Sequence, residues 1–209
     1  MRRESWRLRG AGFVILSLAG ILAGLVVSVL AVTGIAEGLR DAVKPTDSPG
    51  RVAGGRTVLE SMTIETSSPG RHPDWPRYTN QSWRVKKGET VVLRIKSFDD
   101  GPAPLTGVQT AFDSVEGTIG GTETLDGKVV HSLPNGEISH TFTVVGLGLN
   151  VPIPAAPTGG SVTVVARFVA KQSGTFTWQC YAPCGSGSNS MGGAMSVKGY
   201  MEGWIRVAS

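Results

Sequence analysis

The chain has 209 residues, with 20 lysines and arginines against 16 aspartates and glutamates, a formal charge of +4. Arg2, Arg3, Arg7 and Arg9 stand against Glu4 alone at the N-terminus, leaving 16 basic and 15 acidic residues elsewhere, and so near-neutral a body argues against nucleic acid as a partner. Two cysteines exclude a multi-disulfide scaffold, and 29 glycines with 12 prolines, about a fifth of the chain, speak for turn-rich β-structure over a helical bundle.

The first element is apolar. From Gly10 to Ala36 the chain runs 27 residues without a charge, through FVILSLAGILAGLVVSVLAV. Roughly 20 suffice to cross a bilayer core, whereas a cleavable signal has an apolar stretch of only about 7–15. Residues 10–36 are therefore expected to be a transmembrane helix, with cleavage near the small residues of Ala31–Ala36 as the alternative. The arginines ahead of it make 1–9 a cytoplasmic N-terminus, because positive flanks stay on that side. Everything beyond then lies outside the cytoplasm, in a periplasm or on the outer face. Residues 37–56 mix charge, proline and glycine without an apolar period and read as a linker.

Residues 57–209 are expected to form one extracytoplasmic domain. Val91, Leu93 and Ile95 share one face, with Thr90, Arg94 and Lys96 on the other; Phe176, Trp178 and Cys180 alternate with Thr175, Thr177 and Gln179. Further strands are predicted at 57–66, 82–86, 108–112, 138–145, 161–170 and 202–208, separated by turn formers such as Lys87-Gly88 and Ser173-Gly174. About seven short strands predict an all-β fold, a two-sheet antiparallel sandwich. Residues 99–137 read as an inserted loop or hairpin, with Asp99-Asp100 marking a turn, and 185–199 read as loop.

Chemistry concentrates near the C-terminus. Cys180, Cys184, Met191, Met195 and Met201 fall within 22 residues, and soft thiolate and thioether sulfur is what copper prefers. By parity Cys180 points inward with Phe176 and Trp178, and His140 shares a face with Phe142 and Val144. A His and a Cys from different strands, with a Met from a loop, form the ligand set of copper electron-transfer sites. Other readings stay open: a Cys180–Cys184 disulfide, core-filling methionines, a hydrogen-bonded His140. Zinc lacks a second cysteine pair, calcium lacks clustered oxygen donors, and Cys-x3-Cys before Gly185 is not a haem-attachment motif. No catalytic residue can be assigned.

The run HTFTV from His140, LGLNVPIP at 147–154 and GTFTWQCYAPCG at 174–185 resembles the cupredoxin domain of cytochrome c oxidase subunit II. In that family a His precedes a Cys-x3-Cys-x3-His-x2-Met motif, and these residues hold a dinuclear copper centre. The resemblance implies His140 as the first ligand, Cys180 and Cys184 as bridging thiolates, the Ala182 carbonyl as a further ligand and Met191 as the thioether. Ser188 stands where the second His belongs. Met195 or Met201 in a shifted loop, or His72 or His131, would be the replacements; otherwise the site holds one copper ion or none. The likeness covers roughly 83–97 and 138–207 and leaves out the insert at 99–137. It implies a membrane-anchored relay passing electrons from a redox protein to an oxidase subunit. The rival readings are a copper-free scaffold with a Cys180–Cys184 disulfide, and copper delivery through the methionine-rich loop.

Overall fold

A computed structural model describes residues 55–66, 74–185 and 193–209. Eleven strands are found among them. One sheet holds β1 (Thr57–Glu65), β2 (Arg77–Tyr78), β4 (Thr90–Ser97), β5 (Glu123–Leu125), β6 (Lys128–Val130) and β9 (Val162–Val169), in the order β2-β1-β4-β9-β5-β6. The other holds β3 (Ser82–Lys86), β7 (Ile138–Val144), β8 (Leu149–Pro154), β10 (Gly174–Gln179) and β11 (Glu202–Ala208), in the order β3-β11-β10-β7-β8. Alternation explains the layers. β4 buries Val91, Leu93 and Ile95 while Arg94 and Lys96 stay exposed, and its neighbour β9 buries Val162, Val164, Ala166 and Phe168.

The two inner faces meet in an aromatic cluster. Tyr78 from the first sheet packs edge-on against Trp178 of the second, their centroids 4.8 Å apart. Phe142 lies 5.0 Å from Trp178 and 6.5 Å from Trp83. Trp178 is fully buried, as its parity predicts, and its indole N–H donates to the Gln81 carbonyl at 3.0 Å.

The sandwich corrects the expected pairing. It is not purely antiparallel, because β1 runs parallel to β4 and β3 parallel to β11. Period-two patterning reports which face is buried and carries no information about strand direction. The strand expected at 108–112 is a 3-10 turn over Gly107–Phe112; it opens at Gly107 with φ of 58° and is held by the Thr110 hydroxyl donating to the Gly107 carbonyl. β8 was not expected as a strand. Pro152 and Pro154 sit in it because it is the edge of its sheet, where missing N–H donors do little harm.

The insert is ordered around a hairpin. β5 and β6 are joined by Asp126 and Gly127, both at positive φ, the two-residue turn that such a pair favours. The rest of the insert lies over the outer face of β7 and β8, bridging Glu116 to Asn150. Every residue of β7 is consequently buried, its polar face as much as its apolar one.

Among the described residues no helix is long and apolar enough to cross a membrane. The expected span at 10–36, its flank at 1–9 and nearly all of the linker at 37–56 lie outside the described residues, as do His72, Ser188 and Met191.

Candidate metal centre

β7 and β10 share one residue pairing, Thr143 with Gln179. Past that point the strands part, and the next acceptor for β7 is a sulfur: the Thr141 N–H donates to Cys180 Sγ at 3.4 Å. Cys180 has just left β10, and its own N–H donates to the Met201 carbonyl at 2.9 Å, which ties it to the approach to β11. The chain then doubles back. The Cys184 N–H donates to the Ala182 carbonyl at 2.7 Å, a three-residue turn. This brings the two sulfurs to 3.6 Å, and Cys180 Sγ also lies 3.6 Å from the Ala182 oxygen. Both cysteines are free thiols.

His140 enters from β7 on the same inner face. It is fully buried, and its ligand atom and the two sulfurs all lie within 4.8 Å of one another. Its Nε2 stands 2.9 Å from Asp99 Oδ2. That contact is an ion pair outside good hydrogen-bond geometry, and neither ring nitrogen has a regular hydrogen-bond partner. Asp99 is the last piece of the turn after β4: its other oxygen accepts the Gly101 N–H at 2.9 Å. The turn reading of Asp99 therefore accounts for Oδ1 alone, while Oδ2 belongs to the site.

Charge follows from this packing. Burial disfavours an imidazolium at His140, but the Asp99 carboxylate and the Cys180 sulfur outweigh it and raise the pKa to about 9. Burial likewise opposes a thiolate at Cys180, yet the Cys184 S–H, the His140 ring and the Thr141 amide hold it well below the ordinary thiol value. Cys184 is pushed well above that value by its hydrogen bond to Cys180 and by burial. Asp99, penalised by burial, is still lowered by His140, the Gly101 amide and Ser139. These shifts favour charge on Asp99, His140 and Cys180 and a neutral thiol on Cys184.

A buried imidazole without a regular partner, two buried sulfurs and a carbonyl beside one of them form a soft donor set of the kind that suits copper. Asp99 would then orient the ring from the far side, as outer carboxylates do for ligating histidines.

The remaining expected residues divide. Ala182 is fully buried with its carbonyl at the sulfurs. Met201 is fully buried and Met195 half-buried against the core, its carbonyl accepting from Gln179. His131 is exposed on the insert, 3.0 Å from the Gly121 carbonyl, and is not among the grouped ligands. Sequence reading missed Asp99 as a partner of His140, and it missed Thr141, Thr143 and Asn150, which form a buried polar chain beside Tyr181. An acidic pair closing a strand that ends near a candidate ligand was the available signal for Asp99. The threonines carried none.

No family model matches the chain, and none of the curated proteins does. Among solved structures, a multicopper oxidase from Pseudomonas thermotolerans aligns at 12% identity with a TM-score of 0.35, over 74% of this chain and 30% of that one. The multicopper oxidase mgLAC aligns at 18% identity with a TM-score of 0.35, over 74% and 39%. A third multicopper oxidase aligns at 10% identity with a TM-score of 0.30, over 74% and 45%. The chain thus spans less than half the length of these proteins, and superpositions this loose leave function to be read from the site itself.

Proposed function

We propose that the chain is a membrane-anchored copper protein for one-electron transfer, its extracytoplasmic domain cupredoxin-like and similar to that of oxidase subunit II, with an altered copper site. The observation that carries this reading is the convergence of His140, Cys180 and Cys184, all buried, within 4.8 Å. Copper, when bound, supplies a one-electron couple spread over thiolate sulfur. The chain's own residues do the rest. Cys180 and Cys184 provide the sulfurs, His140 the nitrogen, Ala182 a carbonyl, and Met191 or, failing it, Met195 a thioether. The Thr141 amide stabilises negative charge on Cys180. Burial on two strands and a short turn limits rearrangement when the charge changes. With Ser188 in place of a second imidazole, the donor set has a single ring nitrogen.

Electrons would pass between a redox protein partner and an oxidase subunit, with no bond made or broken on this chain. The test is to load the full-length, reduced chain with copper and record metal content, visible absorption and electron paramagnetic resonance. Intense thiolate-to-copper absorption is expected, and the resonance pattern distinguishes one ion from a mixed-valence pair. A colourless protein without copper, whose thiols close as a Cys180–Cys184 disulfide once reductant is removed, would instead favour a copper-free binding module. Rapid loss of copper to an acceptor protein would favour delivery.

A further inference from the structure

The insert at 99–137 reaches the cysteine turn at Tyr181, which it contacts directly through two residues and indirectly through β7 and β8. Gln109 Nε2 donates to the Tyr181 carbonyl at 2.9 Å. The Phe112 ring stacks on the Tyr181 ring, centroids 4.3 Å apart and planes 18° from parallel. The third hold is a hydrogen-bond chain. The Tyr181 N–H donates to Thr141 Oγ1 at 2.9 Å, and the Thr141 and Thr143 hydroxyls are 2.9 Å apart. Thr143 Oγ1 stands 2.6 Å from Asn150 Oδ1, and Asn150 Nδ2 reaches the Phe112 and Ser114 carbonyls at 2.9 and 2.7 Å.

Proton counting fixes the direction of this chain. Each hydroxyl has one proton and Asn150 has two amide protons, both given to the insert. Thr143 must therefore donate to Asn150 and Thr141 to Thr143, which leaves Thr141 free to accept from Tyr181. No donor along the path is idle, and the orientation of the Asn150 amide admits one solution. The path begins on the insert backbone and ends on the residue between Cys180 and Ala182.

We propose that the 99–137 insert is a positioning element for the metal loop, in which Gln109 and Phe112 of the insert, with Asn150 of β8 linking the insert to Thr143 and Thr141, hold Tyr181 and thereby set the spacing of the two thiols and the aim of the Ala182 carbonyl. The inference rests on the copper reading above for what the loop binds. Its mechanical part stands on the Tyr181 contacts alone. Two residues separate Tyr181 from Cys184, and the Cys184 N–H closes the turn onto the Ala182 carbonyl. Gln109, Phe112 and Asn150 are positioning residues: none is among the grouped ligands.

The test uses the full-length chain carrying Gln109→Glu, which keeps size and loses the amide donor, and separately Phe112→Ala. In metal-free, reduced protein, amide exchange at Tyr181 and Cys184 should quicken about three- to tenfold, the range for one lost hydrogen bond. Exchange at Val164, in the opposite sheet, serves as the control and should not change. In copper-loaded protein the same variants should keep the copper content and shift the charge-transfer band and the copper hyperfine splitting. Unchanged exchange at Tyr181 and Cys184 in both variants would overturn the proposal. So would faster exchange accompanied by unaltered copper spectra, because the clamp would then not set the metal geometry. Should the wild-type chain take up no copper, the copper reading fails by itself, and the exchange measurements alone decide whether the insert holds the loop.

Discussion

Asp99, half-buried, and Glu123, fully buried, are two carboxylates with opposite fates. Asp99 has partners for both oxygens, Gly101 and His140, and stays ionised. Asp99→Asn keeps the acceptor for the Gly101 amide and removes the charge facing the imidazole. We expect copper affinity to fall by about tenfold, the lower end of what outer-shell changes produce, in competition against a copper(I) chelator. Unchanged affinity would mean that His140 is oriented by packing alone. Glu123 has no partner for either oxygen and is 1% exposed on β5. Burial lifts its pKa from 4.5 to about 9, so it is neutral in the fold. Between those two values the unfolded chain has released a proton that the folded chain keeps, and stability therefore falls as pH rises through that window. Glu123→Leu should flatten this decline and stabilise the protein at neutral pH, measured as denaturant midpoint against pH. Parallel slopes in variant and wild type would refute a buried neutral acid.

At the scale of elements, what was legible was whatever alternates. β3, β4 and β11 fall on the predicted ranges, because each presents one apolar face to the core and one polar face to solvent. β7 shows the limit of that signal. Its inward side chains, His140, Phe142 and Val144, followed from parity, but parity says nothing of the insert that buries its threonines. Of the candidate site, the cysteines and histidine were legible because their chemistry is rare in this sequence. The clamp on Tyr181 was not, since Gln, Phe and Thr carry no functional signature until folding places them together. β11 also contains a position that composition could not explain. Gly203 pairs with Trp178, and a Cβ there would overlap the Gln81 carbonyl and meet Trp178 Cζ2 at 2.7 Å. That carbonyl already accepts from the Trp178 indole and the Trp204 amide, both at 3.0 Å. Gly203→Ala should cost roughly 1–3 kcal/mol, the usual penalty of overpacking. The check is a lower denaturant midpoint at unchanged m-value; a neutral substitution would show that β3 and β11 pack more loosely than the structure has them.

For the whole molecule, the pairing of strands lay beyond reach of the sequence because parallel and antiparallel neighbours alternate alike; β1 with β4 and β3 with β11 are parallel for reasons of connection. The N-terminal quarter poses the complementary case, where the sequence speaks and the described residues do not. An uncharged run of 27 residues behind four arginines is long enough to span a bilayer with tilt, and a basic flank of this kind is expected to remain in the cytoplasm. An electron relay gains from such an anchor, because confinement to a membrane surface raises the effective concentration of a partner in the same membrane without any new contact. We expect the full-length chain to stay with the membrane through high salt and alkaline extraction, and a chain lacking residues 1–36 to be soluble. External protease should digest residues 57–209 in intact spheroplasts while leaving cytoplasmic markers untouched. Release of the full-length chain by salt would reduce the anchor to a surface contact, and a mature chain beginning after Ala36 would identify the run as a cleaved signal. Protection of the domain from external protease would reverse the orientation and place its two thiols in a reducing compartment, where a bound soft metal would still be possible but a partner in an extracytoplasmic electron chain would not.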